Sequence, residues 1–328
     1  MYNNKTILIT GGTGSFGQSY AKHLLENFTP KKVIIFSRDE LKQFRMMEEL
    51  RGYKNIRFFL GDVRDVLRLQ RAFQEVDIVV HAAALKQVPA LEYNPFEAIQ
   101  TNIIGSQNII NAALDRGVKK VLLISTDKAA EPANLYGATK MCAEKLFVAS
   151  NVYSSGITGS NTKFVVVRYG NVLGSRGSIV ETIINEDNSK PLSLTNEKMT
   201  RFWITLDQCF DLVSHALNNS VGGEIFVPKV PAMKTKDLFK ALAPNRDVFV
   251  TGIRPGEKIH EVLITKSEVP YTFDIGKYFV ILPASGMDLK IYNKYTKSPK
   301  LNFKEFGSNN TNGNRLKKEE LMKIVYKK

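Results

Sequence analysis

Six short apolar runs, separated by stretches of helical periodicity, constrain this chain more than any other feature. They are Thr6–Thr10, Val33–Ser37, Ile56–Leu60, Ile78–His81, Val121–Ser125 and Val165–Val167. Runs that are apolar at every position are buried on both faces, so they predict parallel strands with helices covering both sides of one sheet. Crossovers of the usual right hand then give an α/β doubly wound parallel sheet. Ligands bind such sheets beyond the carboxyl ends of the strands, and strand-end residues become the first candidates for function. The first helix is read through Phe16, Tyr20, Leu24 and Leu25, and the longest from about Glu92 to Arg116.

After Gly174 the rhythm changes. Pro191–Leu194, Phe202–Ile204 and Glu224–Val227 read as short strands, and Leu206–Leu217 and Thr235–Leu242 as helices, which together predict a smaller α/β substrate lobe. The expected division is a core of residues 1–174, a lobe of 175–287 from which some chain returns to the sheet, and a basic tail of 288–328. Ser308–Asn314 is polar and turn-rich, a loop before a short terminal helix. The net charge is +14 over 328 residues, and the tail holds eleven Lys or Arg against four Asp or Glu. The remaining charges are of mixed sign, which argues against a nucleic-acid or membrane-surface role and suits an anionic small substrate. Two cysteines and no leader ahead of Lys5–Ile9 predict a reducing cytoplasm. No apolar run approaches the roughly 18 residues of a membrane span. His23, His215 and His260 do not cluster with Cys142 or Cys209 at ligand spacing, so no metal site is expected.

Gly11, Gly14 and Gly17 follow the first strand and open a helix. The first glycine permits a tight turn, the second lets the backbone approach a pyrophosphate, and the third lets helix and sheet pack closely. The helix N-terminus adds a partial positive charge, so the turn predicts a dinucleotide. The second strand ends in Ser37-Arg38-Asp39 with Lys42 one turn on. Arg38 can fork onto a 2′-phosphate, which favours NADP, while Asp39 leaves NAD open or caps the next helix. Asp62 and Val63 suit the adenine edge. Expected cofactor contacts are Gly11, Thr13, Gly14, Ser15, Phe16 and Gly17; Ser37, Arg38, Asp39, Glu40, Leu41 and Lys42; Asp62, Val63, Ala82, Lys86 and Thr101; and Tyr136, Lys140 and Val172.

Tyr136 and Lys140 are four residues apart, which on a helix puts both on one face. A phenol is a poor base at neutral pH, and a nearby ammonium favours its phenolate. Such a pair can accept a hydroxyl proton while hydride leaves the same carbon.

With the glycine turn, the strand-end His81-Ala82-Ala83-Ala84 and the Tyr136/Lys140 pair, the chain resembles the extended short-chain dehydrogenase/reductase superfamily, of Rossmann-like fold. The runs Ser125–Ala130, Ala82–Pro89, Arg168–Val172, Met199–Thr205 and Gly252–Lys258 narrow the resemblance to the inverting UDP-N-acetylglucosamine 4,6-dehydratases of the pseudaminic acid pathway, up to about Pro283. Non-inverting dehydratases carry Asp-Glu where this chain has Asp127-Lys128. Related dehydratases that also epimerise at C3, in capsule or O-antigen synthesis, share the Ser-Thr-Asp-Lys run but lack a tyrosine at position 136. Gly223–Lys229 points the same way as Tyr136.

The resemblance implies a mechanism. Tyr136 takes the 4-hydroxyl proton, neutral Lys128 takes the C5 proton and protonated Asp127 assists departure of the 6-hydroxyl, with Thr126 orienting the substrate. Burial, Lys140 and the cofactor's charge are expected to depress the Lys128 pKa. Substrate contacts are expected at Lys86, Asn171, Arg176, Gly177, Ser178, Ile179, Thr195, Arg201, Arg254 and Glu257, where Arg254 grips the diphosphate and Glu257 pairs with a ribose. A homo-oligomer, dimer or hexamer, is implied as well. His81 is read as structural and Trp203 as packing. The readings left open are a 4,6-dehydratase that also epimerises at C3 and C5 in capsule or O-antigen sugar synthesis, a non-catalytic NADP-binding protein and a nucleic-acid role for the tail.

Overall fold

The computed structural model of the chain describes all residues except 157–160, 176–177, 186–190, 285–288, 312–313 and 327–328. Arg176 and Gly177 therefore lie outside the described residues. The first half alternates strands β1 (Thr6–Thr10), β2 (Lys32–Ser37), β3 (Ile56–Leu60), β4 (Ile78–His81), β5 (Lys120–Thr126) and β6 (Lys163–Tyr169) with helices α1 (Ser15–Asn27), α2 (Glu40–Glu49), α3 (Val66–Ala72), α4 (Val88–Tyr93), α5 (Pro95–Ala98), α6 (Gly105–Arg116) and α7 (Leu135–Gly156). All six strands stand where the apolar runs placed them.

The second half contains β7 (Asn171–Val172), β8 (Leu192–Leu194), β9 (Thr200–Ile204), β10 (Ile225–Pro228), β11 (Ala232–Lys234), β12 (Val248–Val250), β13 (Val262–Ile264), β14 (Thr272–Asp274), β15 (Tyr278–Ile281) and β16 (Phe306–Gly307). Its helices are α8 (Ile179–Asn185), α9 (Leu206–Asn219), α10 (Thr235–Leu242), α11 (Asn293–Thr296) and α12 (Lys318–Val325). The large sheet has the order β14-β15-β10-β6-β5-β4-β1-β2-β3. From β3 to β10 neighbouring strands are parallel, and β15 and β14 close the edge antiparallel. Between β1 and β4 the strand order reverses, which opens the crevice where ligands of such sheets bind.

Two expectations are corrected. The helix read as continuous from Glu92 to Arg116 breaks at Asn94, resumes at Pro95 and passes through a π-helical segment, Ile99–Ile104, before α6. Pro95 has no N–H to continue the preceding helix, and the wider π turn re-aims the chain. The longest helix is α7, which carries the Tyr136/Lys140 pair. Glu224–Val227, read with the smaller lobe, joins the large sheet instead, with Ile225 opposite Val166 and Ile281.

The smaller lobe has its own core of Leu192, Leu194, Trp203, Leu238 and Leu242, closed by Leu316 and Leu321 of the C-terminal segment. Trp203 is 2% exposed there, a packing residue. Among the described residues, no helix is long and apolar enough to cross a membrane.

Candidate active site

Two groups of residues meet at the carboxyl ends of the strands. The first is a cleft of about 300 Å³ lined by Gly11, Thr13 and Gly14 of the turn, Phe36–Asp39 and Lys42, Gly61–Val63, Ala82–Leu85 and Thr101. Gly11 has φ +64°, and a Cβ there would stand 2.7 Å from the backbone nitrogen of Ala83. A Cβ at Gly17 would stand 2.6 Å from Gly12 Cα. Only glycine lets the turn, α1 and the β4 loop come this close. Gly14 is the N-cap of α1 and puts no side chain over the helix end. The buried hydroxyl of Thr101 lines the cleft without a protein partner. The glycine cradle, the helix end and the cleft's length along four strand ends fit a nicotinamide dinucleotide.

At the far end, Asp39 is fully committed. Its Oδ1 accepts the Lys42 N–H at 2.9 Å, capping α2, and its Oδ2 is 2.6 Å from Lys42 Nζ. The Ser37 hydroxyl bonds Thr13 Oγ1 at 2.8 Å and accepts the Asp39 N–H at 3.2 Å. Arg38 is half exposed and stands 3.5 Å from Asp62, which Arg64 holds at 2.8 Å. Glu40, Leu41 and Lys86 are exposed and not part of the cleft lining, and the Phe16 ring packs on Tyr20 and Phe210.

The second group surrounds the turn after β5. Thr126 ends the strand, and Asp127–Ala129 form one turn of 3-10 helix. Asp127 is wholly buried. Its Oδ1 accepts from Thr126 Oγ1 at 3.0 Å and from Lys128 Nζ at 2.9 Å, while its Oδ2 is buried without a partner. That free oxygen faces Gly170, where a Cβ would come within 3.3 Å of it. Burial raises the Asp127 pKa, against the pull of Lys128. Tyr136 and Lys140 lie one turn apart on α7. Burial raises the Tyr136 pKa, and the Lys128 charge works to lower it. Burial brings Lys140 down to about 8, with Glu144 acting the other way.

The charge state expected for Lys128 is overturned. Burial does lower its pKa, but the Asp127 and Glu261 carboxylates outweigh burial and hold it above the usual lysine value. Lys128 is thus an ammonium 2.9 Å from Asp127 and 3.5 Å from Glu261. The Lys128 ammonium acts to lower the pKa of the Tyr136 phenol.

α7 is fixed to the turn by a close backbone approach. A Cβ at Gly137 would stand 2.2 Å from the Lys128 carbonyl oxygen. Asn134 accepts the Gly137 N–H at 2.8 Å and donates to the Gly256 carbonyl at 2.8 Å. Asn102 ties α7 to the cofactor cleft, pairing with Leu85 N–H at 2.8 Å and Leu85 carbonyl at 2.9 Å and donating to Thr139 at 3.0 Å. Glu144, one turn past Lys140, is locked to Arg168 through two bonds of 3.0 and 2.6 Å. His81 bonds Thr10 at 2.7 Å and Ser106 at 3.2 Å, and burial brings its pKa down to about 3, so it is a neutral structural residue.

Candidates in the smaller lobe divide. Asn171 and Val172 form β7 beside β9, half-buried, and Ser178 and Ile179 open α8, with the Ser178 hydroxyl accepting the Glu181 N–H at 3.2 Å. Thr195 is buried and donates to Met199. Arg254 is exposed. Arg201, expected on substrate, is instead buried and donates to the carbonyls of Thr200, Ile259 and Lys258 at 2.7, 3.1 and 3.0 Å. Glu257, expected on a ribose, stands 3.6 Å from Arg201. This pair ties the loop to β9. Glu261, Asn102, Gly137 and Gly170 were not assigned from sequence. Gly170 lies inside the Arg168–Val172 run, and Glu261 lies three residues beyond the Gly252–Lys258 run.

Comparison with known proteins agrees with this geometry. Residues 7–283 match the family described as polysaccharide biosynthesis protein. A Campylobacter jejuni protein named UDP-N-acetylglucosamine 4,6-dehydratase (inverting) is 52% identical over 288 residues, 87% of this chain and 84% of that protein. A Rickettsia bellii protein named UDP-glucose 4-epimerase is 41% identical over 336 residues, 99% of this chain and 96% of that protein. The crystal structure of Pen from Bacillus thuringiensis superposes with a TM-score of 0.89 at 38% identity, covering 100% of this chain and 98% of Pen.

Proposed function

The chain belongs to the polysaccharide biosynthesis protein family, beside the inverting UDP-N-acetylglucosamine 4,6-dehydratases, and from that membership we propose that it dehydrates UDP-N-acetylglucosamine with inversion at C5. The product is UDP-2-acetamido-2,6-dideoxy-β-L-arabino-hex-4-ulose, which enters pseudaminic acid synthesis. The observation that carries this reading is the 2.9 Å hydrogen bond between Lys128 Nζ and buried Asp127 beside Tyr136. Moving one proton along it converts the ion pair into a neutral amine and a carboxylic acid, the base and the acid an elimination needs. Burial of Asp127 favours that exchange.

The bound nicotinamide supplies a hydride acceptor at C4 and a hydride donor at C6, and ends as it began. Tyr136 removes the 4-hydroxyl proton, with Lys128 and Lys140 as nearby positive charge. The C4 ketone acidifies C5–H. Lys128 takes that proton while Asp127 gives its proton to the leaving 6-hydroxyl, and water departs. After elimination the pair again holds one proton, now as ammonium and carboxylate, and C5 is reprotonated on the opposite face. Net, C4 is oxidised, C6 is reduced and one water is lost.

NADP is the proposed cofactor. Half-exposed Arg38 at the tip of β2 suits a 2′-phosphate, while Asp39 caps α2 and pairs with Lys42. Asn171, Ser178, Thr195 and Arg254 are proposed for the uridine diphosphate. A cytoplasmic homo-oligomer, dimer or hexamer, is part of the same reading.

The relatives named UDP-glucose 4-epimerase favour a second reading, hydride removal and return at C4 alone. That reaction needs no acid–base pair at C5 and C6. Proton NMR of UDP-N-acetylglucosamine turnover in deuterated water separates the two. Dehydration gives a 6-methyl signal, L-arabino configuration and one deuterium at C5. Appearance of the C4 epimer, with C6 still hydroxylated and C5 unlabelled, would refute the dehydratase.

A further inference from the structure

We propose that Glu261 is a positioning residue of this site: it holds Lys128 over Asp127 and keeps one proton shared between them, and the C-terminal segment fixes it there through Ser308. This rests on the dehydratase reading.

Glu261 is 2% exposed, immediately before β13. Its Oε1 lies 3.5 Å from Lys128 Nζ and 3.8 Å from Arg201 Nε, and its Oε2 lies 3.2 Å from Lys258 Nζ. Lys258 also donates to the Ala130 carbonyl at 2.9 Å, at the far end of the catalytic turn. One carboxylate is thus shared by three cations from the turn, β9 and the loop before β13. Without it, the positive charges of Arg201 and Lys258 would repel the Lys128 ammonium out of its hydrogen bond with Asp127. The backbone of Glu261 is set from the other side. Its N–H donates to Ser308 Oγ at 2.9 Å, its carbonyl accepts the Ser308 N–H at 2.8 Å, and Ser308 Oγ lies 2.6 Å from Thr200 Oγ1. β16 pairs with β13 just beyond. The charged and titratable groups around the pair are Tyr136 of α7, Arg201 of β9, and Glu257, Lys258 and His260 of the loop.

The sign of the effect follows. A negative charge beside the pair makes proton uptake easier, so its removal lowers the pH at which Asp127 and Lys128 exchange protons with solvent. Glu261→Gln keeps the shape and removes the charge. In the full-length enzyme with cofactor and UDP-N-acetylglucosamine, the acid limb of kcat should move to lower pH by about one unit, a tenfold change in proton affinity. Plateau kcat should fall about tenfold, as for a misplaced base, while KM for the nucleotide sugar stays within about twofold. Reduced nicotinamide should accumulate, because oxidation at C4 is untouched and elimination is slowed. Glu261→Asp should restore part of the wild-type profile, and Ser308→Ala should shift it the same way as Glu261→Gln, by less.

A Glu261→Gln profile that keeps the wild-type acid limb, with or without a uniform loss of rate, would overturn the proposal. The second measurement does not depend on the reaction. In NMR of protein labelled at lysine Cε, with the Lys128 signal identified by its loss in Lys128→Met, that signal should begin to titrate at least one pH unit lower in Glu261→Gln than in wild type. An unchanged titration would reject the role of Glu261 even if the substrate proved to be another sugar. A shifted titration with no dehydration would reject the substrate reading and leave the role standing.

Discussion

At the scale of single residues, the catalytic turn shows what nearness in sequence reveals and what it hides. Asp127, Lys128, Tyr136 and Lys140 fall within fourteen residues, so their meeting at a strand end and a helix face was legible from spacing. The charge on Lys128 was not. Asp127 next door sets part of it, but Glu261, far off in sequence and just before β13, adds to it, and local spacing carries no trace of that approach. Arg38 is the complementary case, where residue type and position suggest a phosphate contact and the side chain stands half-exposed at the cleft's edge. Arg38→Ala should therefore weaken NADP binding about 10- to 100-fold, the worth of a charge-assisted bond to phosphate, and leave NAD within about threefold. Calorimetric titration of both cofactors checks this, and an equal loss for both would place Arg38 outside the 2′-phosphate site.

Among elements, five of the six strands were legible because residues apolar on both faces admit one environment, the middle of a covered sheet, while β3, with Arg57 and partial burial, forms the edge. β10 was not, because its apolar residues suit a lobe strand equally well until pairing with β6 and β15 decides. The break at Asn94–Pro95 carried a signal, the proline, that a count of apolar periodicity overrides. The placing of α7 against the catalytic turn depends on Gly137, whose Cα nearly touches the Lys128 carbonyl. A methyl there must push helix and turn apart, and the backbone of the turn cannot yield as a side chain would. Gly137→Ala should lower kcat about a hundredfold through loss of alignment between Tyr136 and Lys128. Cofactor affinity should stay within about threefold, since the glycine cradle is untouched. Steady-state kinetics with a cofactor titration would decide, and unchanged kcat would show that the approach has slack.

Taken as a whole molecule, the chain hides the importance of its C-terminal segment behind its composition. Half of the net positive charge lies there, and charge alone reads as an appendage. The structure folds it inward. β16 pairs with β13, Arg315 bridges Ala232, and Leu316 and Leu321 enter the core of the smaller lobe with Trp203, Leu238 and Leu242. The lysines of α12 lie on the outer side of a helix whose Leu321 is wholly buried. The segment thus closes the smaller lobe and, through Ser308, reaches Glu261. Leu321→Ala should cost about 2–5 kcal/mol, the range for emptying a buried leucine site. The loss should be local, because the lobe core is separate from the core of the large sheet. Hydrogen exchange should then quicken in α10 and α12 while β1–β6 keep their protection, and KM for the nucleotide sugar should rise more than the cofactor dissociation constant. Uniform loss of protection across both cores would mean that the lobe and the sheet unfold as one unit. Unchanged exchange everywhere would return the segment to the status of an appendage.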